Sequence, residues 1–367
     1  MTTGLPISWF GLAAAASFAI GAIATRAAIS ISPRIGFVDK PGGHKSHTAS
    51  KPYGGGTAIL VAAWLPLLVG LTLAVFLPVD ALPAEIAEKS RHYLGGLRER
   101  AHEGFIILAG GVVLHVLGLI DDIRPLGPGV KLPVILGVSF AVSAFADVRL
   151  IEMAGIPASI ALATLWCSVI INAFNFLDNM DGLSAGIALI CALALLYCGW
   201  FAGQVLVPAV AAVLAGGLAG FLLFNFPPAR IFMGDAGSLL VGYAIAVLSI
   251  RTTYFPSGAG QPPFALAMPL AILAVPLYDF CTVIGIRIAE GRNPLKGDQR
   301  HFSHRLVEHG LSRRFAVITI YIATAATAMA GTLLPGADLR QTLTIVAIVL
   351  LVLTIIGILE RPVAKTP

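Results

Sequence analysis

A run of amides and carboxylates between two apolar segments is the stretch of the sequence best equipped for chemistry. Residues 172–186 read Asn-Ala-Phe-Asn-Phe-Leu-Asp-Asn-Met-Asp-Gly-Leu-Ser-Ala-Gly, and the flanking segments 156–171 and 182–229 contain no charged residue. In a helix, Asn172, Asn175 and Asp178 share one face, and Asp181 lies one step further on. Such oxygen ligands suit Mg²⁺. The alternative is a helix terminus, because Asn and Asp cap helices and Asp-Gly favours a turn.

Two further acidic motifs lie at the ends of apolar segments. Asp121 and Asp122 end the segment Gly-Leu-Ile-Asp-Asp. Adjacent carboxylates repel, and the dipole at a helix C-terminus disfavours them further, so this pair implies a nearby cation, phosphate-bound metal or proton. Asp235 follows Met-Gly just before another apolar segment. It is a candidate third carboxylate for a metal and phosphate site, or else an N-cap.

The first basic loop, residues 39–56, is suited to an anionic ligand. It contains Lys45 and His47 and ends in Tyr-Gly-Gly-Gly, where backbone amides can approach an anion and Lys45 adds a point charge. The alternative is an ordinary positively charged loop with glycines at a helix start.

A second basic loop, predicted over residues 286–313, combines histidines with arginines. His301, His304 and Arg305 lie within Asp-Gln-Arg-His-Phe-Ser-His-Arg-Leu, residues 298–306. Basic groups beside two histidines suit a phosphate-rich ligand. The enrichment of Lys and Arg in cytoplasmic loops would explain the arginines, but it does not explain the histidine pair.

The composition assigns these motifs to a membrane protein. Of the 367 residues, 57% are hydrophobic and only 12% are charged, whereas soluble domains have about 25% charged residues. We therefore attribute the formal net charge of +5 to the unequal distribution of Lys and Arg between the two sides of the membrane, and we predict no nucleic-acid partner. The four cysteines lie in apolar stretches and indicate neither a metal site nor a disulfide framework. The first basic residue, Arg26, follows the first apolar segment, which favours a retained helix over a cleaved signal peptide.

We predict an all-α polytopic integral membrane protein with about eleven transmembrane helices in a single transmembrane catalytic domain, residues 1–367. Residues 79–103 form a polar extracytoplasmic loop, and residues 286–313 form the cytoplasmic His/Arg loop. Lys and Arg are concentrated in one set of alternating loops and the C-terminal tail, which places that set in the cytoplasm and the N-terminus outside. The predicted spans are about 7–31, 54–78, 104–120, 130–147, 157–175, 182–201, 205–224, 236–250, 264–289, 314–334 and 340–360.

In chain order, these motifs resemble the polyprenyl-phosphate N-acetylhexosamine-1-phosphate transferase superfamily (glycosyltransferase family 4), over nearly the whole chain. The last loop is similar to the branch that transfers N-acetylglucosamine-1-phosphate, whose pattern is Asp-x-x-His-x-His-His-Arg-Leu. Phospho-N-acetylmuramoyl-pentapeptide transferase, which has three consecutive histidines, is the alternative within the superfamily. Ser303 stands where that pattern has a histidine, and Asn179 stands where glycine is common. The matching features are Asp39, Pro41, Lys45, His47 and Pro52; Gly118 to Asp122 with Lys131; Asn172 to Gly186; Asn225 to Gly242; and Pro276, Asp279 and Arg287.

The resemblance implies a reaction and its setting. A sugar-1-phosphate, GlcNAc-1-phosphate by the branch pattern, passes from a UDP-sugar to undecaprenyl phosphate, releasing UMP and starting a lipid-linked cell-envelope glycan. The cofactor is Mg²⁺, with Mn²⁺ as a substitute. The protein lies in the plasma (inner) membrane with its active site and C-terminus in the cytoplasm, and the resemblance leaves a homodimer open.

The resemblance also implies residue roles. Asn175 and Asp235 hold the metal, while Asp178 and Asp181 support metal and nucleotide binding. Asp121 and Asp122 orient or deprotonate the lipid phosphate, and we expect Asp121 to reach it while Asp122 faces Lys131 or the metal. The remaining substrate-binding residues are Asn225 and Phe232 at the uracil, Lys45, Lys131, His301, His304 and Arg305 at phosphates, and His47 and Asn172.

Two rival functions are weighed against this one. A CDP-alcohol phosphotransferase shares the start of its motif, Asp178-x-x-Asp181-Gly-x-x-Ala185, but the chain has Gly186 where that motif has Arg and lacks two more acids before Asp235. A secondary transporter places ionisable groups on broken helices near the midplane. Here those groups cluster at one set of helix ends.

Overall fold

The computed structural model describes residues 7–39, 50–78, 94–151, 155–252, 267–293 and 301–360. Helices dominate these residues, and the two-stranded antiparallel sheet among them pairs Asp39 with Lys51 and Val38 with Pro52. In chain order the elements are α1 (Ile7–Ile31), β1 (Val38–Asp39), β2 (Lys51–Pro52), α2 (Gly55–Phe76), α3 (Ala101–Ile123), α4 (Pro128–Phe145), α5 (Ile156–Leu177), α6 (Leu183–Phe201), α7 (Leu206–Asn225), α8 (Gly234–Arg251), α9 (Met268–Ile272), α10 (Ala274–Ala289), α11 (Phe302–Glu308), α12 (Arg313–Thr332) and α13 (Leu339–Leu359).

Within the described ranges, 10 helices are long and apolar enough to cross a membrane, namely α1 to α8, α12 and α13. The prediction of an all-α polytopic membrane protein is therefore confirmed, and the ends of these helices lie within a few residues of the predicted ones.

The predicted continuous helix over 264–289 was wrong, since its described part is divided into α9 and α10 at Leu273. Pro276 lies in the first turn of α10. Its ring removes one N–H donor and crowds the carbonyl four residues earlier, which favours a break here, although α2 and α4 continue through Pro66 and Pro133.

Helix α8 forms the centre of the bundle. Every residue from Ala236 to Ile250 is buried, and α8 packs against α2, α3, α5 and α6. Glycines allow this close approach. A Cβ at Gly118 of α3 would overlap the backbone carbonyl of Asp235, and a Cβ at Gly56 of α2 would overlap the backbone of Gly237. The C-terminus of α3 and the N-terminus of α8 are thereby held in contact.

A cluster of ion pairs ties helix ends together at the opposite end of the bundle. The buried carboxylate of Glu103, at the start of α3, pairs with Arg251 at the end of α8. Asp147, which follows α4, pairs with Arg149 at 3.0 Å and with Arg100 at 3.5 Å. These contacts fix the far ends of α3, α4 and α8, so the geometry at the near end is set by well-anchored helices.

Of the two predicted loops, residues 94–99 of the 79–103 segment are helical, and α3 begins at Ala101. The 286–313 segment contains the end of α10 and the short helix α11. The division of the chain into domains and the side on which each loop lies stay predictions.

Candidate active site

Asp122 is held by the N-terminus of α8. Its carboxylate accepts hydrogen bonds from the backbone N–H groups of Asp235 at 2.8 Å and Ala236 at 3.2 Å. The positive end of the helix dipole stabilises a carboxylate there, which offsets the repulsion from the neighbouring Asp121. Gly234 makes the approach possible, because its φ of 69° favours glycine and a Cβ at this position would overlap the Asp122 carboxylate.

Asp121, and not Asp122, faces Lys131, so that part of the expected arrangement was wrong; the places of Asp121 at the lipid phosphate and of Asp122 at the metal stay predictions. The ammonium of Lys131 lies 3.1 Å from Asp121 and 2.7 Å from Asp235. Asp121 also accepts a hydrogen bond from the N–H of Leu126 at 2.6 Å. Successive residues of a helix point about 100° apart, and this rotation sends the two carboxylates to different neighbours.

The stretch from Asn172 to Asp181 is a helix face for only part of its length. Helix α5 ends at Leu177 with Asp178 as its C-cap, and Gly182, with a φ of 76°, precedes α6. The amide nitrogen of Asn175 donates to Ser238 of α8 at 2.9 Å. The amide nitrogen of Asn172 donates to the carbonyl of Ser168 at 2.7 Å. The helix-terminus alternative is therefore right for Asp178, and the shared face holds for the two asparagines.

Asp178 is a half-buried carboxyl group on the wall of the cavity that the acidic residues surround. Burial, followed by the negative charges of Asp235, Asp122 and Asp181, raises the pKa of Asp178 well above its ordinary value, against an opposing hydrogen bond from the backbone of Gly234. This much negative charge in one place favours a bound cation or a retained proton.

Asp181 lies on another side of this cavity, beside a lysine that the functional assignments above omit. Its carboxylate accepts a hydrogen bond from the N–H of Ala229 at 2.9 Å and pairs with Lys51 at 3.3 Å. The Lys51 ammonium also lies 4.9 Å from the ring centroid of Phe232. The available signal was the position of Lys51 directly before the Pro-Tyr-Gly-Gly-Gly run.

Asn225 joins two backbone segments. Its amide oxygen accepts from the N–H of Gly182 at 3.0 Å, and its amide nitrogen donates to the carbonyl of Ile231 at 2.8 Å. The side chain is buried and lines the cavity. These bonds give Asn225 a role in holding the loop that carries Phe232, and its contact with uracil stays a prediction.

Two of the three glycine amides before α2 bind protein carbonyls, contrary to the prediction that they approach an anion. The N–H of Gly55 donates to the carbonyl of Phe232 at 3.1 Å, and the N–H of Gly56 donates to the carbonyl of Met233 at 3.0 Å. These bonds attach the start of α2 to the loop before α8. Lys45 and His47, the predicted phosphate-binding and substrate-binding residues of the same loop, lie outside the described residues.

Two of the three predicted phosphate ligands in the His/Arg loop make protein contacts instead. His301 is buried, and its Nδ1 lies 2.8 Å from the fully buried carboxylate of Asp279. Arg305 pairs with Glu360 at the end of α13 at 2.7 Å. Both side chains therefore anchor α11 to neighbouring helices, and the predicted phosphate contacts of His301 and Arg305 are corrected accordingly.

His304 is the member of this group that faces the cavity. Burial lowers the pKa of His304 below its ordinary value, and the positive charges of His301 and Arg313 lower it further. At pH 7 the imidazole is therefore neutral, so it can donate or accept one hydrogen bond but adds no positive charge.

The cavity that these residues surround has a volume of about 230 Å³. It is lined mainly by polar groups from helix ends and connecting loops, and Tyr53 and Arg313 were not among the predicted site residues. The polar and aromatic residues that line it include Tyr53, Asp122, Asp178, Asn179, Asp181, Phe232, Asp235, His304 and Arg313.

The donor atoms fit a divalent cation that is shared with a substrate. In the described part of the chain, no three Asp, Glu, His or Cys side chains converge as a metal cage. Mg²⁺ in phosphoryl-transfer sites usually takes one or two carboxylates and completes its shell with water and substrate phosphates. Asp178 and Asp235 line the same cavity and match that requirement. Asn175 lies beside them, because its partner Ser238 is one turn after Asp235 on α8.

Comparisons with known proteins agree with this arrangement. Residues 105–253 match the family described as Glycosyl transferase family 4. The chain is 30% identical over 335 residues to the probable undecaprenyl-phosphate N-acetylglucosaminyl 1-phosphate transferase of Bacillus subtilis (strain 168), covering 89% of this chain and 85% of that protein. It is 32% identical over 393 residues to the decaprenyl-phosphate N-acetylglucosaminephosphotransferase of Mycolicibacterium smegmatis (strain ATCC 700084 / mc(2)155), covering 98% and 91%.

A third relative, the undecaprenyl-phosphate alpha-N-acetylglucosaminyl 1-phosphate transferase of Escherichia coli (strain K12), is 24% identical over 318 residues, covering 83% of this chain and 78% of that protein. The family match over residues 105–253 contains Asp121, Asp122, Asp178, Asp181 and Asp235. The chain therefore belongs to glycosyl transferase family 4, on the branch of the polyprenyl-phosphate N-acetylglucosamine-1-phosphate transferases.

Proposed function

We propose that this protein transfers N-acetylglucosamine-1-phosphate from UDP-N-acetylglucosamine to undecaprenyl phosphate, releasing UMP and starting a lipid-linked cell-envelope glycan. The observation that carries the proposal is the meeting of Asp122, Asp178 and Asp235 with Lys131 at one end of a bundle of membrane-spanning helices. Both substrates are anionic and one is a lipid, so the reaction needs charged groups at the boundary between hydrocarbon and water. The named activities of the relatives support the same reaction.

The donor nucleotide is assigned to the side of the cavity formed by Phe232, Lys51 and Asp181. An aromatic ring offers a stacking surface for the uracil base. Lys51 supplies hydrogen-bond donors beside it, and Asp181 supplies acceptors. Since Asn225 binds the backbone on both sides of this group, it keeps the loop with Phe232 in place.

The acceptor phosphate is assigned to the end of α3, where the lipid tail can remain in the bilayer. Lys131 bridges Asp121 and Asp235, and its ammonium is a flexible point charge that can turn to an incoming phosphate. The second pKa of a phosphate monoester is near 6, so the lipid phosphate has little proton left to lose at pH 7. For this reason we favour a role for Asp121 and Asp122 in orienting the nucleophile over general-base catalysis.

A divalent cation is the cofactor that this donor set suits. We infer Mg²⁺, with Mn²⁺ as a substitute, held by Asp235 with Asn175 and Asp178 nearby. When bound, the cation neutralises the pyrophosphate and the departing UMP. The chain itself contributes the placement of these carboxylates, because the backbone N–H groups at the start of α8 hold Asp122 and leave Asp235 beside it.

The orientation we propose places the cavity on the cytoplasmic face of the plasma membrane, with the N-terminus outside. The asymmetry of Lys and Arg between alternating loops supports this orientation. A homodimer stays a prediction.

The test is UMP release by purified protein with undecaprenyl phosphate and a panel of UDP-sugars. We expect release with UDP-N-acetylglucosamine, its loss in excess EDTA and its return with Mg²⁺. Asp235→Ala should lose at least about two orders of magnitude in turnover, the scale for one lost electrostatic stabiliser.

Each outcome has a separate meaning. Full turnover in excess EDTA would contradict the cation but leave the transfer reaction standing. Flux of a substrate into proteoliposomes without UMP release would contradict the transfer reaction and favour a transporter.

A further inference from the structure

A side-chain hydrogen bond joins the acidic turn after α5 to helix α11. The hydroxyl of Ser303, in the first turn of α11, donates to the amide oxygen of Asn179 at 2.7 Å. Ser303 is fully buried, whereas Asn179 is half-buried. The amide nitrogen of Asn179 donates to the carbonyl of Phe176 at 2.7 Å. Both ends of the Asn179 side chain are therefore held, and the plane of the amide is fixed.

The fixed amide lines the cavity, as do Asp178 and His304. An amide nitrogen has two hydrogens, and the bond to Phe176 uses one of them. The second points away from that carbonyl, and no contact in the described part of the chain occupies it. Asn179 thus adds a neutral N–H donor to a wall that presents carboxylates, a neutral imidazole, the hydroxyl of Tyr53 and the cationic guanidinium of Arg313.

The chemistry of the donor substrate indicates what this N–H would bind. Phosphate oxygens are matched by cations, and here Arg313 lines the cavity while Lys131 pairs with Asp235 of its wall. A neutral sugar presents hydroxyl oxygens and an acetamido carbonyl oxygen, which are uncharged acceptors. A fixed, uncharged N–H donor suits such an oxygen, because neither partner has to be neutralised on burial.

The contact also unites the two positions at which this chain departs from the pattern that it resembles. A side chain is present at 179 where that pattern has glycine, and a smaller one is present at 303 where it has histidine. Since the two side chains touch each other, the departures are one structural change.

We propose that Asn179 contacts the N-acetylhexosamine of the nucleotide-sugar donor and determines selectivity for it, with Ser303 as its positioning residue. This inference rests on the proposed transfer reaction.

The experiment compares UDP-N-acetylglucosamine, its galacto epimer UDP-N-acetylgalactosamine, and UMP, which lacks the sugar. For Asn179→Ala we expect the KM for UDP-N-acetylglucosamine to rise about tenfold, the scale of one lost hydrogen bond. The preference over the galacto epimer should shrink, and inhibition by UMP should keep its wild-type constant. A purely structural role would weaken UMP and the sugar nucleotide together.

Ser303 is tested by a double-mutant cycle. Ser303→Ala should raise the same KM about threefold, and Ser303→Thr, which retains the hydroxyl, should lie closer to wild type. The double variant Ser303→Ala/Asn179→Ala should be no worse than Asn179→Ala alone, because the serine acts through the asparagine. Additive losses would overturn the positioning role.

A second variant keeps the proposal testable if Asn179→Ala does not fold. Asn179→Asp retains an acceptor for Ser303 but removes both N–H donors, so its KM for the sugar nucleotide should rise at least as much. UMP release by the wild-type protein tests the transfer reaction separately. If the wild type is active and both Asn179 variants keep its KM and epimer preference, the proposed sugar contact is wrong and the transfer reaction stands.

Discussion

Replacing Asp122 with asparagine tests whether the start of α8 places the reacting groups. The carboxylate accepts two backbone N–H groups, from Asp235 and Ala236. An amide has one oxygen and one NH₂ group. Asp122→Asn therefore retains one of the two bonds and turns an N–H towards the second donor.

The size of the effect follows from these bonds. A hydrogen bond to a charged group contributes about 1.5–3 kcal/mol, and a negative charge at a helix N-terminus contributes about 0.3–2 kcal/mol. The variant should thus lose about 2–5 kcal/mol, within the roughly 5–15 kcal/mol that holds a protein folded. Because Asp235 lies in the same first turn of α8, we expect turnover to fall by at least about 100-fold.

The assay combines UMP release with thermal unfolding in detergent. Glu103→Gln is the matched control, since it makes the same carboxylate-to-amide change in a buried ion pair at the opposite end of the bundle. It should lower the unfolding temperature yet leave turnover within about threefold of wild type. Near-normal turnover of Asp122→Asn would refute the reasoning. An equal loss in Glu103→Gln would show that turnover follows overall stability.

Three further predictions concern other parts of the site. Because the pKa of Asp178 is raised, the folded protein retains this proton to a higher pH than the unfolded chain does. Without divalent cations, stability should therefore fall as the pH rises from about 4. Asp178→Asn should flatten this slope in unfolding scans with EDTA, and an unchanged slope would exclude Asp178 as its source. Gly118→Ala should force α3 away from the backbone of Asp235. This displacement should destabilise the protein by about 1–3 kcal/mol and reduce UMP release. Full activity of the variant would disprove the close contact. The orientation can be tested in a cysteine-free background, because Arg340 and Arg292 are both exposed. Arg340→Cys should react with an impermeant thiol reagent on intact cells, and Arg292→Cys should react only after permeabilisation. The reverse pattern would invert the orientation.

The membrane spans were predictable because they depend on a local property. A segment of about 20 apolar residues has few alternatives to a helix that crosses the bilayer. The break between α9 and α10 was not readable from Pro276 alone, because Pro66 and Pro133 lie inside predicted helices that are continuous in the structure.

Roles in the loops were less predictable, because they depend on partners far away in the chain. His301 finds Asp279, Arg305 finds Glu360, and Asn225 finds the backbone of Gly182. Residue type shows only that each side chain can bind an anion or a polar group. Whether that group belongs to a substrate or to another helix is decided by packing, which composition and spacing do not encode.

Asp121 and Asp122 illustrate the same limit at close range. The sequence indicated that a cation, a phosphate-bound metal or a proton must balance the adjacent carboxylates. Lys131 is such a cation for Asp121, whereas Asp122 is held by backbone N–H groups at the start of α8. Which carboxylate meets Lys131 depends on where α3 ends relative to α4 and α8. A shift of one residue in that helix would exchange the two partners, so spacing could not assign them.

The burial of α8 has a consequence for how the protein is made. Of the 10 candidate spans α8 is the most enclosed by protein and among the least apolar, so it has no lipid-facing stripe to hold it in a bilayer alone. During synthesis, the earlier helices α2, α3, α5 and α6 emerge first, and they form the surface that receives it. Entry of α8 from the insertion machinery then depends on helices that have already assembled. Since the start of α8 also carries Asp235, the same event that completes the bundle would complete the acidic cavity, and a partly assembled chain would hold no working site.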